Sequence, residues 1–325
     1  MDNFLMNNLL SDSWNYPSLI QPLSGLPEIT AADLAADVLR LDTIHPVVSG
    51  NKWFKLKGHL QIARERSASS ILTFGGAWSN HIIATAYAAQ QAGIPAIGII
   101  RGERPPALSA TLETAAGYGM QLEFVSRKTY ASYSTFFHNL PDFHNLSERY
   151  PGAYIIPEGG AGRPGIHGSE YILREIPSAR YSHILCAIGT GTMSLGLASA
   201  ATPDQEIIGI PVLKGFTGLS SLSAASDLPI SLNAPGNPSQ QSRLRIVPHY
   251  HFGGYARHPP ELLDFINRFY RDTGIPSDIV YTGKLFYAAF DMIRQHLFPA
   301  HSRLLIIHSG GLQGNRSLPP GTLDF

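Results

Sequence analysis

The chain has 325 residues, of which 44% are hydrophobic and 15% charged, so it carries enough apolar material for one large globular domain or two smaller ones. Its 24 Lys and Arg residues balance its 24 Asp and Glu residues, which argues against a nucleic acid or an anionic membrane surface as partner, and no apolar run is long enough to span a membrane. The single Cys186 excludes an intrachain disulfide, and the N-terminus lacks a secretory pattern, so we expect a cytoplasmic protein.

Short apolar runs alternate with longer amphipathic segments along the chain. The first clear unit is a strand at 71–74, a Gly-Gly turn, and a helix over 80–92 with Ser79 or Asn80 as its cap and Gly93 as its stop. The further strands predicted, in chain order, lie at 96–100, 121–125, 154–157, 184–188, 206–213, 244–247 and 303–308.

Strands separated by helices predict an α/β fold with mainly parallel sheets flanked by helices on both faces. The number of strands exceeds what one simple doubly wound sheet needs, so two domains are expected. The Ser-, Asn- and Pro-rich stretch 220–242 is predicted to be a surface excursion. In such sheets the loops after the carboxyl ends of the strands converge on one crevice, so distant segments can share a site.

The first candidate segment is Ser49–Leu56, where a helix is predicted to begin near Asn51. Lys52 and Lys55 are three residues apart and lie on one helix face, where two ammonium groups repel unless an anion lies beside them. One amine could bond a carbonyl group as an imine while the other neutralises a phosphate. An exposed basic helix end is the alternative interpretation.

The second segment, Gly75–His81, joins a predicted strand to a predicted helix. Free N–H groups at the start of the helix, together with the Ser79 hydroxyl, form a seat for a carboxylate. Asn80 adds an amide that could donate to a phenolate oxygen. A plain helix cap would use the same residues.

Two later segments could hold other parts of a bound group. Gly189-Thr190-Gly191-Thr192 follows a buried strand, and its N–H groups and hydroxyls could wrap a phosphate, although a tight strand-to-helix turn would look the same. It lacks the Gly-Lys-Ser/Thr ending of a nucleotide P-loop. In the segment 280–284, which precedes an apolar helix, the Thr282 hydroxyl could hydrogen-bond a pyridine nitrogen.

Three other motifs suggest different chemistry but lack supporting residues. Gly160–Gly165 satisfies the G-x-G-x-x-G pattern of dinucleotide sites, yet no acidic residue follows at a suitable distance, and Pro164 would interrupt the start of a helix. Ser49-x-x-Lys52 lacks the companion motifs of S-x-x-K enzymes. His249-x-His251 has no third ligand with zinc-like spacing, so we expect no metal site.

In order and spacing, the glycine-containing segments resemble the 1-aminocyclopropane-1-carboxylate deaminase / D-cysteine desulfhydrase family of tryptophan-synthase-β-like, fold-type II pyridoxal-phosphate enzymes. This resemblance implies a larger domain that contains both chain ends (1–56 and 158–325), a smaller inserted domain (57–157) and a homodimer. It extends from about residue 40 to 315 and is carried by Gly50-Asn51-Lys52, Gly75–His81, Pro157-Glu158-Gly159-Gly160, the loop 189–192, Tyr281-Thr282-Gly283-Lys284 and His308–Leu312.

The resemblance also implies which residues hold pyridoxal phosphate between the two domains. Lys52 would form a Schiff base with it, and the lysine released by the substrate would move the α-proton. Lys55 would lie toward the phosphate, and the loop 189–192 would hold that phosphate. Asn80 would lie by the 3′-oxygen, and Thr282 by the ring nitrogen.

The expected substrate is a small amino acid whose carboxylate binds to the Ser79–His81 turn beside Trp78. Trp78 replaces the Gln that is usual in the family and would narrow the pocket. Tyr255 and Tyr281 resemble two family tyrosines that act near the substrate.

Residue 282 bears on the reaction, since family members that open a cyclopropane ring carry Glu there and desulfhydrases carry Thr. A neutral hydroxyl suits β-elimination, where the carbanion need not live long. The expected reaction is therefore elimination from D-cysteine or a related β-substituted amino acid, giving a keto acid and ammonia. Two alternatives stay open, a 1-aminocyclopropane-1-carboxylate deaminase and a non-catalytic homologue that binds the cofactor or an amino acid.

Overall fold

A computed structural model describes residues 16–134, 146–216 and 243–325. The N-terminal residues that lack a secretory pattern and the predicted surface excursion at 220–242 lie outside these ranges. Within them, none of the helices combines the length and apolar character that crossing a membrane requires.

Strands and helices alternate along most of the described chain. The strands are β1 (Ile20–Pro22), β2 (Ala35–Arg40), β3 (Ser70–Gly75), β4 (Ala96–Arg101), β5 (Gln121–Val125), β6 (Ala153–Ile156), β7 (His183–Ile188), β8 (Glu206–Pro211), β9 (Arg243–Ile246) and β10 (Arg303–His308). The helices described from end to end are α1 (Pro27–Ala31), α2 (Asn51–Glu65), α3 (Asn80–Ala92), α4 (Ala110–Gly117), α5 (Arg127–Ser134), α6 (Arg163–Arg174), α7 (Thr192–Ala200), α8 (Pro260–Thr273) and α9 (Thr282–Arg294).

The strands form two sheets. The larger has the order β1-β2-β10-β7-β8-β9 and is parallel except for β1, which pairs antiparallel with β2 at one edge. The smaller has the order β5-β4-β3-β6 and is parallel throughout. In β7 and β10 five of six residues are buried, which is why these parallel strands are almost continuously apolar in sequence.

Helix α2 links the two sheets through a shared hydrophobic core. Its buried Trp53 and Leu56 belong to one cluster with Ile71 of the smaller sheet and with Ile184 and Ile307 of the larger. Because α2 packs against strands of both sheets, its first turn is held in a fixed position relative to the carboxyl ends of those strands.

The α/β fold class and all eight predicted strands are confirmed, with bounds that agree to within two residues. The helix over 80–92 is also confirmed, with Ser79 as its cap and Gly93 in the left-handed conformation. The strands β1 and β2 were not predicted, because β1 is only three residues long and β2 includes Asp37 and Arg40.

One sequence argument is wrong. Pro164 does not interrupt a helix start, because α6 begins at Arg163 and Pro164 occupies its first turn, where no intrahelical N–H bond is lost. The expected domain boundaries stay a prediction. The first of them, between residues 56 and 57, falls within α2, and the second follows β6.

Candidate active site

A cavity of about 330 Å³ lies where loops from both sheets and the start of α2 meet. The smaller sheet contributes the turn after β3, Arg101 at the end of β4 and Glu158 after β6. The larger sheet contributes the loops 189–191 and 309–311, which follow β7 and β10. Carboxyl ends of parallel strands are where such folds place their ligands.

Lys52 is the second residue of α2, and a close approach of two loops fixes its position. Gly50 has a φ of 65°, and a Cβ there would lie 1.7 Å from the Ser309 carbonyl oxygen, so the approach requires glycine. The Lys52 Nζ donates to Asn51 Oδ1 at 2.7 Å. Desolvation lowers the pKa of Lys52 to about 8, although the Asp278 carboxylate opposes this shift.

Lys55 lies one turn further along α2 and is almost fully buried. Its Nζ donates to the Gly159 carbonyl oxygen, 3.3 Å away. Burial lowers the pKa of Lys55 well below its ordinary value, and the charge of Lys52 lowers it further. An anion bound in this cavity would favour the protonated form of both amines.

Ser79 caps α3 at the edge of the cavity. Its Oγ accepts hydrogen bonds from the backbone N–H groups of His81 and Ile82, at 3.2 and 3.3 Å. A Cβ on Gly75 would lie 2.8 Å from this oxygen, so the tight turn needs glycine. Ser79 is therefore a helix cap, as one interpretation of the sequence predicted, and the cap uses only its oxygen. The hydroxyl hydrogen takes no part in the cap and can be donated to a ligand.

Asn80 and His81 both line the cavity but differ in their hydrogen bonding. Asn80 Nδ2 donates to the Gly311 carbonyl oxygen at 3.2 Å, whereas its buried Oδ1 has no partner among the described residues. An unpaired buried amide oxygen is costly, so a donor bound in the cavity would satisfy it. His81 Nε2 lies 2.8 Å from Thr73 Oγ1, and burial lowers the pKa of His81 well below its ordinary value, which makes it a neutral side chain.

The loop after β7 places the start of α7 at the cavity. Gly191, with a φ of 84°, turns the chain into the helix, and no acidic residue occupies the first helical turn. The positive end of the helix dipole is therefore uncompensated by side chains of that turn, as in anion sites. The hydroxyl oxygens of Thr190 and Thr192 lie 3.0 Å apart, with Thr190 on the cavity wall and Thr192 fully buried.

Two tyrosines form one side of the cavity. The rings of Tyr255 and Tyr281 meet edge to face with centroids 6.2 Å apart. Tyr281 also lies against Gly189, where a Cβ would come within 3.0 Å of its ring. Tyr255 is 44% exposed, which places it at the cavity mouth.

Thr282 is fully buried and is bonded to Asp278 instead of reaching the cavity wall. Its hydroxyl donates to Asp278 Oδ1 at 2.7 Å and accepts from the Asp278 N–H at 2.8 Å. The same carboxylate accepts the N–H groups of residues 280–282. In this arrangement Asp278 receives the Thr282 hydroxyl hydrogen, and the contact between this hydroxyl and a ring nitrogen stays a prediction.

Three charged residues at this site were given no role by the sequence argument. Arg101 and Glu158 line the cavity, and Asp278 acts electrostatically on Lys52. Arg101 and Glu158 each stand at the end of an apolar strand, a signal that could have identified them. Asp278 follows no predicted strand and no glycine turn, so no sequence pattern marked it.

The structure gathers most of the predicted site residues around one cavity, whereas Thr192 and Thr282 are fully buried and do not line it. Among the described residues, no group of three His, Cys, Asp or Glu side chains is arranged to hold a metal ion. The predicted residues that line the cavity are Lys52, Lys55, Trp78, Ser79, Asn80, His81, Gly189, Thr190, Gly191, Tyr255 and Tyr281.

Comparisons with known proteins find similar sequences and structures over most of this chain. The sequence model of the family described as "Pyridoxal-phosphate dependent enzyme" matches residues 20–310. A Thermotoga maritima protein named "Putative 1-aminocyclopropane-1-carboxylate deaminase" is 28% identical over 85% of this chain and 88% of its own length. The Arabidopsis thaliana "Bifunctional D-cysteine desulfhydrase/1-aminocyclopropane-1-carboxylate deaminase, mitochondrial" is 26% identical over 93% of this chain and 75% of its own length. The crystal structure of an ACC deaminase homologue superposes with a TM-score of 0.76 at 24% identity and covers 95% of both chains.

Proposed function

The chain belongs to the family of pyridoxal-phosphate dependent enzymes, and from that premise we propose that it is a lyase that removes the β-substituent of a small amino acid, as a D-cysteine desulfhydrase does. The cofactor, the fold-type II class and the resemblance to the 1-aminocyclopropane-1-carboxylate deaminase / D-cysteine desulfhydrase family are as the sequence predicted. The proposed products are a keto acid and ammonia.

One observation carries the proposal, the Lys52 amine on a cavity wall that also has an anion-binding helix start. Pyridoxal phosphate, when bound, supplies an aldehyde that condenses with amines and a ring that accepts electrons from the α-carbon of the substrate. Lys52 is the residue we propose to hold the aldehyde carbon. Its pKa of about 8 leaves roughly a tenth of the amine unprotonated at pH 7, about two hundred times more than an ordinary lysine would have.

The other residues of the wall fit a phosphate and an aromatic ring. The loop Gly189–Gly191 before α7, with the Thr190 hydroxyl, would hold the phosphate dianion, and the Lys55 amine would lie toward it, where the anion would favour its protonated form. The unpaired Oδ1 of Asn80 would accept a hydrogen bond from a donor on the bound cofactor or from the Lys52 nitrogen.

The Ser79–His81 turn is the proposed seat of the substrate carboxylate. It lies at the start of α3, where backbone N–H groups and the Ser79 hydroxyl favour an anion. A substrate bound there would bring its α-carbon toward Lys52 on the same wall. The unprotonated Lys52 amine would then take the α-proton, and Tyr255 and Tyr281 would shield the reacting atoms from water.

The preference for elimination rests on Thr282, which is a neutral residue where cyclopropane-opening members resemble this chain but carry Glu. In this structure the Asp278 carboxylate, which is hydrogen-bonded to Thr282, accepts four hydrogen bonds from residues 280–282. The cofactor ring is a weaker electron acceptor when no carboxylate stands at position 282. β-Elimination needs only a short-lived carbanion, so a neutral residue at 282 supports elimination over ring opening.

The proposal is tested by keto-acid release from the purified, cofactor-loaded enzyme over D- and L-cysteine, D-serine, β-chloroalanine and 1-aminocyclopropane-1-carboxylate. We expect pyruvate and ammonia from D-cysteine or β-chloroalanine at rates well above ring opening. Lys52→Ala should abolish turnover, and the control Lys57→Ala, a lysine on α2 that stacks over Tyr171, should not. Faster release of 2-ketobutyrate from the cyclopropane substrate would show that the chain is a deaminase of that kind instead.

A further inference from the structure

Arg101 is a cation on the cavity wall that the reaction described above does not use. It is the last residue of β4, and because β4 lies beside β3 its side chain stands next to the turn that begins at Gly76. A Cβ on Gly76 would lie 3.4 Å from Arg101 Nη2, so glycine leaves space for the guanidinium there. The guanidinium carbon lies over the Tyr130 ring, 5.6 Å from the ring centroid, in a cation–π contact.

In the described part of the chain, Arg101 makes this stacking contact but no hydrogen bond or ion pair within 4 Å. Glu158 lines the same cavity, on the opposite side of β3, and acts on Arg101 only at longer range. Burial raises the pKa of Glu158, and the charge of Arg101 opposes this shift without a direct ion pair between the two side chains. Neither Tyr130 nor Glu158 accepts a hydrogen bond from the guanidinium of Arg101. Its N–H groups can therefore bind a carboxylate or a similar oxyanion.

The position of Arg101 relative to the reacting atoms suggests which part of a substrate it would meet. The α-carbon must lie by Lys52, and the proposed seat of the α-carboxylate is the Ser79–His81 turn. Arg101 is exposed and close enough to Tyr255 to act on it electrostatically, so it lies toward the cavity mouth. With the α-carbon by Lys52 and the α-carboxylate at the Ser79–His81 turn, the substituent on the β-carbon is the part of the substrate that would extend toward Arg101.

We infer that Arg101 selects amino acids whose β-substituent, the leaving group, carries an anion such as a carboxylate. This inference rests on the proposed elimination, since it names the class of substrate for the same site. In the step, the Cα–H bond breaks and its proton passes to the Lys52 amine, while the Cβ–S bond breaks and its electron pair leaves with the anion-bearing thiolate. The remaining enamine takes up one water and yields pyruvate and ammonia.

A matched pair of substrates isolates the charge. S-carboxymethylcysteine and its neutral amide, S-carbamoylmethylcysteine, have nearly the same shape and release thiols of the same size, and each can be made from both enantiomers of cysteine. The enzyme should show a kcat/KM for the acid that is about tenfold or more above that for the amide, the usual range for one charge-assisted hydrogen bond.

Arg101→Gln should bring this ratio to about 1 or lower by a loss on the acid alone, and Arg101→Lys should restore part of it. The control Arg104→Gln removes an arginine that stacks over Phe124 and should leave the ratio unchanged. Glu158→Gln should keep the ratio or raise it. An equal loss on acid and amide in Arg101→Gln would mean that Arg101 binds the α-carboxylate or only supports the fold, and would overturn the inference.

A binding measurement separates this inference from the proposed function. Titration calorimetry of the cofactor-loaded enzyme with the α-methyl analogues of the acid and the amide, which have no α-proton to lose, gives their affinity ratio without turnover. If neither compound is cleaved but the acid still binds more tightly through Arg101, the elimination proposal fails while the selectivity of Arg101 stands. If both are cleaved with equal affinities and rates, elimination stands and the role of Arg101 is refuted.

Discussion

Lys52 and Lys55 illustrate how one helical turn can make a reactive amine. Burial alone would favour the neutral form of both side chains, and the charge of Lys52 adds to this effect at Lys55. The negative charge of Asp278 partly offsets the effect of burial on Lys52, and the resulting pKa of about 8 is close to neutral pH. Proton transfer is most effective when a group is close to half protonated, so Lys52 is the better general base of the two.

This pKa predicts how cofactor loading depends on pH. The free amine is the form that reacts with an aldehyde, so loading of cofactor-free protein should accelerate as pH rises and level off above about 8. An ordinary lysine, with a pKa of about 10.4, would go on gaining rate well beyond that point. The growth of the visible absorption band after mixing measures the rate. Lys57→Ala should leave the midpoint where it is, and a midpoint near 10 would contradict the argument.

The hydrogen-bond partner of the Thr282 hydroxyl, Asp278, could not be predicted from the sequence. The pattern Tyr-Thr-Gly-Lys indicated a hydroxyl near the site, and the hydroxyl is close to it. The direction of its hydrogen bond depends on Asp278, four residues earlier, which folds back onto the same turn. A side chain that accepts four hydrogen bonds within one turn leaves no spacing pattern to read, because three of its donors are backbone N–H groups.

At the scale of elements, two helix caps allow a controlled comparison. Ser79 caps α3 and lines the cavity, while Ser126 lies directly before α5 and its Oγ accepts from the Thr129 N–H at 3.1 Å. Ser79→Ala and Ser126→Ala should each cost about 1 kcal/mol of unfolding free energy, measured by urea titration. Only Ser79→Ala should also lower kcat/KM, by roughly tenfold or more, because its hydroxyl is a proposed donor to the substrate. Equal activity in the two variants would leave Ser79 as a cap alone.

Helix α9 holds the segment that carries Tyr255. Lys284 is fully buried, and its Nζ donates to the carbonyl oxygens of His251 and Gly254 at 3.0 and 2.6 Å. Lys284→Met would leave both carbonyls unpaired and should loosen the position of Tyr255. We expect a clear fall in kcat/KM with the cofactor absorption band retained. In a double-mutant cycle with Tyr255→Phe, the effects should be strongly non-additive; full additivity would separate Lys284 from Tyr255.

The elements that the sequence predicted best are those with one dominant signal. Strands such as β7 and β10 are buried on both faces and therefore apolar throughout, and α3 has a serine cap and a glycine stop. The strand β2 was missed because its Asp37 is paired with Tyr181 and Arg180, contacts that are distant in sequence. A polar residue that is paired through tertiary contacts can occupy a buried strand position, and it then interrupts the apolar pattern by which the strand would be predicted.

For the molecule as a whole, the convergence of loops could be predicted but the contents of the cavity only in part. Parallel topology places strand ends together, so glycine-flanked segments such as 75–81 and 189–192 were expected to meet, and they do. The position of Arg101 depended on which strand lies next to β3. Strand order is a property of the sheet and is not written in the spacing of any one motif.

Because the cavity wall draws residues from both sheets, a bound cofactor should stabilise the entire chain. A ligand that binds only the folded state adds about 2.7 kcal/mol at 100 times its Kd, which corresponds to a Tm rise of roughly 4 °C in a chain of this size. The cofactor-loaded enzyme should therefore melt at least that much higher than the cofactor-free protein in differential scanning calorimetry. Lys52→Ala lacks the covalent link and should gain less from added cofactor, although Lys57→Ala should gain as much as the unmodified chain. Identical melting of loaded and cofactor-free protein would mean that the cofactor does not connect the two sheets through this cavity.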